Sequence, residues 1–314
     1  MRTRYFITGG AGFIGSHLAD RLINRGKVTV YDNLSSGRRE FIDQHSDNPD
    51  FKFVQADLLN RSQLAKVMES SDVVFHLSAN SEIKAGQSDT ETDLNQGTIA
   101  TYNVLDTMRM LNISKIVFAS SSVVYGETSG EPVPEDYGPL QPISLYGAAK
   151  LASEGLITAF CHLFGLQAWL FRFANVVGSR ATHGVIRDFI YKLKKNAGEL
   201  EILGDGKQAK SYVHVSDCVD GMLFGLQHSN ARVNVFNLGN DDVVGVSKIA
   251  HLLLEQMELT KTKLSYTGGS RGWPGDVPHI CLKTSRMEKL GWRPEHSSEE
   301  AIRLAIKEIL AESI

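Results

Sequence analysis

Short apolar runs rich in β-branched and aromatic residues alternate with longer stretches whose apolar positions recur every three to four residues. The runs at 4–8 ("RYFIT"), 27–32 ("KVTVYD"), 51–57, 72–78, 115–120 and 166–173 have the length and composition of strands. Between them, 14–25, 61–69, 93–112 and 145–164 carry the helical spacing. The first strands lack polar alternation, as expected when both faces of a sheet are covered. Strand, helix, strand, repeated, predicts a parallel sheet between two helical layers. After residue 175 the pattern loosens. A helix is predicted over 185–196 and a pair of short strands around the GDG turn of "LEILGDGKQAKSYVHVSD". A buried strand over 233–240 would return to the first sheet, and helices follow over 247–258 and 297–311. A smaller second domain, discontinuous in sequence, then lies over one edge of the first. The first domain takes residues 1–175 with 212–240, and the second takes 176–211 with 241–314.

Composition narrows the function classes without choosing one. The 314 residues are 42% hydrophobic and 22% charged, which suits one large or two moderate globular domains. A net charge of −3 with no long Lys/Arg run gives no footprint for nucleic acid or a membrane surface. The start, "MRTRYFITGG", is too short in apolar residues for a signal peptide, and no later run is long enough to cross a bilayer. Cys161, Cys218 and Cys281 are odd in number, widely spaced and free of zinc-ligand company. They read as reduced, buried thiols in the cytoplasm, and no metal site is implied.

The first candidate for chemistry is "FITGGAGFIGSHLADRL". It sets Gly9, Gly12 and Gly15 in the first strand-to-helix turn, where backbone N–H groups can approach a pyrophosphate at the positive end of a helix. Asp32 ends the next strand. A carboxylate there can accept hydrogen bonds from both adenine-ribose hydroxyls and would repel a 2′-phosphate, so the expected cofactor is NAD. Arg38 and Arg39 read as solvated loop residues. Asp57, after the third strand, is placed to bond an adenine amino group or to cap the helix starting near Asn60.

The second candidate is "SLYGAAK", preceded by "KIVFASSSVVYGE". Tyr146 and Lys150 share one helix face, with Ser144 as N-cap. Ser120, Ser121 and Ser122 end a strand on the side where parallel sheets bind ligands. A free phenol has a pKa near ~10. A neighbouring ammonium and the positive nicotinamide ring are expected to lower it. A serine hydroxyl would hold the substrate hydroxyl in line. Such a set suits removal of an alcohol proton while hydride leaves the same carbon.

Together "TGGAGFIGS", "YDNLSSG", "FASSSVVYGE", "PISLYGAAKLASE", "RFANVVG" and "SYVHVSDCVDG" resemble the extended short-chain dehydrogenase/reductases. More narrowly they resemble nucleotide-sugar epimerases of the UDP-glucose 4-epimerase type, from residue 3 to about residue 294. The resemblance implies a Rossmann-type doubly wound α/β fold with a smaller α/β substrate-binding domain. It implies Tyr146 as base, Lys150 as its partner and ribose ligand, and Ser121 as third member, with Ser122 adjacent. It extends the cofactor site to Phe13, Ile14, Asn33, Ser35 and Gly37, to Leu58, and to Leu77, Ser78, Ala79 and Ser120. Substrate contacts are implied at Ser81, Asn175, Val185, Lys210, Arg271 and Asp276. It further implies tightly bound, recycled NAD, and a homodimer made by helices 93–112 and 145–164 pairing into a four-helix bundle.

Departures from the pattern sharpen the expectation. In related 4,6-dehydratases an Asp and a Glu directly follow the catalytic Thr; here Ser122 and Val123 do, and valine can neither abstract nor donate a proton. That favours plain epimerisation of a UDP-sugar (UDP-glucose/galactose or the N-acetylamino forms) through a 4-keto intermediate. Alternatives are UDP-glucuronate epimerisation, another sugar-nucleotide oxidoreductase or dehydratase, and a catalytically idle NAD-binding sensor. Lys210 stands where the family usually has a phosphate-binding Arg. Trp273 occupies the Arg position of R-P-G-D, with Arg271 two residues earlier, expected at the diphosphate, and Asp276 expected at the ribose. Gly97 sits where an Asn is common, with Asn95 nearby. Ser81 replaces a cofactor-binding Lys, with Asn80 beside it and Lys84 three residues on. His76 reads as packing at a strand end.

Overall fold

The computed structural model describes residues 2–128 and 130–312. Elements are numbered along the chain. Its first half gives β1 (Thr3–Thr8), α1 (Phe13–Leu22), β2 (Gly26–Asp32), β3 (Phe51–Gln55), α2 (Arg61–Met68), β4 (Val73–His76), α3 (Thr90–Asp93), α4 (Ala100–Met110), β5 (Lys115–Ser121), α5 (Leu145–Phe164) and β6 (Gln167–Phe173). Then follow β7 (Asn175–Val177), α6 (Val185–Lys195), β8 (Glu199–Ile202), β9 (Ala209–Lys210), β10 (Tyr212–His214), α7 (Val215–His228) and β11 (Val233–Leu238). The chain closes with β12 (Val244–Gly245), α8 (Val246–Gln256), β13 (Lys263–Tyr266), β14 (His279–Ile280), α9 (Ser285–Leu290) and α10 (Ser298–Glu312).

Seven strands form one parallel sheet in the order β11-β6-β5-β4-β1-β2-β3. Side chains alternate between its faces, and both faces are apolar. Phe6, Val74, Ile116, Phe118, Ala168 and Leu170 pack against α2, α4 and α5. Ile7, Val28, Val30, Phe75, Val117, Trp169 and Phe171 pack against α1 and α7. This two-sided burial explains the missing polar alternation. The winding direction reverses between β1 and β4, which opens a crevice beyond the carboxyl ends of those strands. A separate core joins α6, α8 and α10 with β8.

The helix predicted over 93–112 is interrupted. After α3, residues Leu94–Ile99 form a π-helical turn leading into α4. The Gly97 carbonyl accepts the Thr101 hydroxyl at 2.7 Å. The pair of short strands predicted around the GDG turn is corrected more fully. The segment forms three strands rather than two, each with a partner elsewhere: β8 lies parallel to β13, β9 between β12 and β14, and β10 beside β7. Gly204 and Gly206, both at positive φ, turn the chain away from itself. Helix α7 has no counterpart in the predicted elements, although Val215, Val219, Met222 and Leu223 follow helical spacing and are buried. Among the described residues, no helix is long and apolar enough to cross a membrane. All three cysteines are free and buried.

Candidate active site

The crevice is floored by the glycine loop between β1 and α1. Gly9 has φ +68°, and a Cβ there would lie 2.8 Å from the Ser78 backbone nitrogen. A Cβ on Gly15 would lie 2.2 Å from the Gly9 carbonyl oxygen, and one on Gly12 3.2 Å from it. Only glycines let the loop fold this tightly against Leu77–Ser78. Gly12 caps α1 without a side-chain partner, leaving the first-turn N–H groups of Phe13 and Ile14 for an anion. Asp32 is buried at the end of β2. Its carboxylate accepts from Ala11 N at 3.0 Å and Leu34 N at 2.8 Å, and Gly37 packs against it. Burial raises its pKa, with the two N–H groups opposing the shift. The fold thus supplies an anion cradle with a carboxylate beside it, the donor set that a dinucleotide's pyrophosphate and ribose require.

Asp57 is held by Asn33 Nδ2 at 2.9 Å and by Leu59 N at 2.8 Å. It does not cap α2. Asn60 does, accepting from Gln63 N at 3.2 Å. Asn33 in turn accepts from Ser35 N, and Leu58 is buried beneath this turn. Arg38 and Arg39 are exposed, as expected of solvated residues, and Arg39 pairs with Asp43 at 2.6 Å.

His76 does more than pack. Thr8 Oγ1 accepts from Leu77 N and Ser78 N, so its own proton goes to His76 Nδ1 at 2.8 Å. His76 Nε2–H then donates to Thr101 Oγ1 at 2.9 Å, and Thr101 donates to Gly97 O. The ring is neutral, with burial depressing its pKa to about 3. This chain ties the loop at Leu77 and Ser78 to the π-helical turn.

Helix α5 begins at Ser144, whose hydroxyl accepts from Gly147 N at 3.1 Å. It presents Tyr146 and Lys150 to the end of β5. Lys150 is buried, and its Nζ donates to Ala119 O at 2.6 Å. Nζ stands 5.6 Å from the Tyr146 ring centroid and 4.8 Å from that of Phe118. Burial lowers the Lys150 pKa to about 8, while Glu154 and Asp93 oppose that shift. Lowering of the Tyr146 pKa by the Lys150 ammonium, one of the two causes expected, is not found. Burial raises this pKa, the Asp93 charge raises it further, and a hydrogen bond to Ser121 pulls it down. Lys150 is turned toward Ala119 O, so the serine is the group that favours the phenolate here. Ser122 is buried in the turn after β5, and Val123 N approaches Ser121 Oγ at 3.4 Å. The Ser120 hydroxyl points away from the crevice, to Glu154 Oε1 at 2.5 Å, so as a cofactor contact Ser120 has only its backbone to offer.

Sequence reasoning missed three charged residues around this set. Asp93 is buried with one carboxylate oxygen unpaired, its other oxygen accepting from Asn80 at 3.1 Å. Glu154 and Arg172 form a buried ion pair at 2.7 Å. Charged residues on helices and strands read as solvated faces. The one available signal was Glu154 lying one further turn along the Tyr146–Lys150 face.

On the other wall, Lys210, Arg271 and Asp276 converge. Lys210 Nζ pairs with Asp276 Oδ1 at 2.6 Å, and Arg271 donates to the Asp276 backbone oxygen at 3.0 Å and pairs with Glu127. The Asp276 carboxylate also accepts from Gly272 N at 3.1 Å, so here it is engaged by protein groups rather than free. Asn175 Nδ2 donates to Ser211 O at 3.2 Å, next to Lys210. Val185 opens α6, whose cap Gly184 has no side-chain bond. A cleft of about 250 Å³ lies between Ile83–Gln87, Ile143–Leu145 and Trp273–Gly275, bridged by Gln87 Nε2 to Pro274 O at 2.9 Å. Trp273 lines that cleft. Ser81 is half-buried in the loop leading to it.

Residues 5–239 match the NAD dependent epimerase/dehydratase family. A crystal structure of a UDP-galactose 4-epimerase is 40% identical, with a TM-score of 0.89 over 99% of this chain and 100% of that one. A UDP-glucose 4-epimerase from Thermotoga maritima, solved with UDP-glucose, is 30% identical, with a TM-score of 0.89 over 99% of both chains. A UDP-glucuronic acid 4-epimerase from Bacillus cereus, in complex with UDP-glucuronic acid and NAD, is 26% identical, with a TM-score of 0.89 over 99% of this chain and 100% of that one.

Proposed function

The chain belongs to the NAD dependent epimerase/dehydratase family, and from that premise we propose that it is a UDP-sugar 4-epimerase acting on a neutral hexose such as UDP-galactose or its N-acetylamino form. The glycine loop, Asp32 and the Asp57 turn would hold NAD, which accepts hydride from C4 of the sugar and returns it. Tyr146 takes the proton of the C4 hydroxyl, Ser121 holds that hydroxyl in line, and Lys150 supplies positive charge beside the ring. The 4-keto sugar rotates, and Tyr146 returns the proton when hydride reaches the opposite face. Lys210 and Arg271 are the groups of charge suited to a diphosphate, Lys210 as a point charge without Arg's bidentate fork. Asn175 and the first turn of α6 at Val185 stand beside them for the nucleotide.

One observation carries the choice of epimerisation over elimination. Val123, an apolar residue, stands beside Ser121 where a dehydratase needs an acid. The division into a cofactor domain (1–175 with 212–240) and a substrate domain (176–211 with 241–314) belongs to the same proposal. So does a homodimer: Ile99, Tyr102, Met110, Leu163 and Phe164 leave an exposed apolar face on the α4–α5 side. Three buried free thiols suit a reducing compartment such as the cytoplasm.

The test is to incubate purified protein with UDP-galactose, UDP-N-acetylgalactosamine and UDP-glucuronate, without added NAD, and to follow C4 inversion by NMR. Inversion of a neutral sugar, lost in Tyr146→Phe, is expected. Failure to invert any of the three, with NAD confirmed bound, would sink the proposal.

A further inference from the structure

Three consecutive residues at the carboxyl end of β5 each face a different turn of α5. Ala119 O accepts from Lys150 Nζ at 2.6 Å, Ser120 Oγ donates to Glu154 Oε1 at 2.5 Å, and the Ser121 hydroxyl meets Tyr146. Residues 146, 150 and 154 are four apart and share one helix face. The helix is therefore laced to the strand end by hydrogen bonds at residues 119 and 120, with Ser121 facing Tyr146 beside them. Glu154, the last point of this lacing, is itself fixed from the sheet. Arg172 is the residue paired with Ser120 across β5 and β6. Its Nε donates to Glu154 Oε1 at 2.9 Å and its Nη2 to Oε2 at 2.7 Å. Nη1 donates to Glu135 O at 3.0 Å, and the guanidinium lies 4.8 Å from the Tyr125 ring centroid.

Both ions are about 95% buried, at 5% exposure each. A buried ion pair adds little stability compared with a well-packed apolar pair, so stability is a weak reason for its presence. Its geometry is directional: the pair ties β6 to α5, and Glu154 in turn takes the Ser120 hydroxyl from the end of β5. We propose that Glu154 and Arg172 are positioning residues for proton transfer, locking the end of β5 against α5 so that the Ser121 hydroxyl meets the Tyr146 phenol. This rests on the epimerase reading. The charged and titratable groups facing Lys150 and Tyr146 are Glu154 on α5, Asp93 on α3 and His76 on β4.

The mildest probe is Ser120→Ala. It removes the strand-end link and leaves the bidentate Arg172–Glu154 pair whole. NAD content and KM should stay within about twofold of wild type while kcat falls by about tenfold, because a displaced hydroxyl no longer supports the proton transfer. The acid limb of kcat/KM should move to higher pH, since Tyr146 loses the bond that favours its phenolate. Glu154→Gln, in protein that still folds by circular dichroism, should lose more than Ser120→Ala, with the double variant no worse than Glu154→Gln alone. A Ser120→Ala enzyme with wild-type kcat and an unmoved pH profile would overturn the proposal. Should the wild type invert no UDP-sugar, the epimerase reading falls separately. The positioning claim is then read by tyrosinate absorbance, isolated as wild type minus Tyr146→Phe. Ser120→Ala must move that titration to higher pH, and no movement overturns the claim.

Discussion

Replacing Gly97 by alanine puts a methyl group 2.9 Å from the Cβ of Ala149. Ordinary carbon contacts sit at ~3.5–4.0 Å, so the π-helical turn and α5 must part by roughly 0.6–1 Å. Overpacking of this kind costs about 1–3 kcal/mol. Alanine in place of a helical glycine returns about 1 kcal/mol, so the net loss is about 0–2 kcal/mol. The coupling is more diagnostic than the net. Ala149→Gly clears the space, and the double variant should recover about 1–3 kcal/mol relative to the sum of the single changes. Urea unfolding measures this as shifts in midpoint at constant slope. Ala149 lies between Tyr146 and Lys150, so Gly97→Ala alone should also lower kcat, and Ala149→Gly should restore part of it. Additivity within about 0.5 kcal/mol would refute the contact.

Two further predictions concern pH. His76 is fully buried with a pKa near 3, whereas an unfolded histidine titrates near ~6.5. Its folded-state pKa is depressed, so its contribution is intact above ~6.5 and is lost as pH falls toward 3, at about 1.4 kcal/mol per pH unit. His76→Asn should lower stability at pH 7.5 yet flatten the stability profile between about pH 6.5 and 4; a slope equal to wild type would contradict the neutral ring. Lys150, buried with a pKa near 8 against an ordinary value near ~10.4, binds fewer protons folded than unfolded between those values. Wild-type stability should therefore rise relative to Lys150→Met, by about 3 kcal/mol from pH 7.5 to 10.5. Parallel profiles would refute the depressed pKa.

The parallel sheet was legible because its strands are apolar on both faces, as Phe6 and Ile7 illustrate by pointing into different cores. The glycine loop was legible because backbone closeness at Gly9 and Gly15 leaves a residue-type signature. Partners of β8, β9 and β10 were not, since strands of two to four residues carry no period and pair with segments far along the chain. The lack of a Lys150 effect on Tyr146 was not legible, because it depends on where Lys150 Nζ points, toward Ala119 O. Glu154 and Arg172 looked like surface charges, and only the fold buries them as a pair. Between Tyr146 and Lys150 the helix carries two alanines, Ala148 and Ala149. Only Ala149 is buried, and Ala148 faces solvent.

The central claim, that the hydrogen taken from C4 is the one returned to it, is tested most directly by isotope. UDP-galactose carrying deuterium at C4 is incubated with the protein as purified, without added NAD, and the epimerised product is read by NMR and mass spectrometry. Full retention of deuterium at C4, with no deuterium entering unlabelled substrate in heavy water, is the predicted result. Loss of the label to solvent would contradict it.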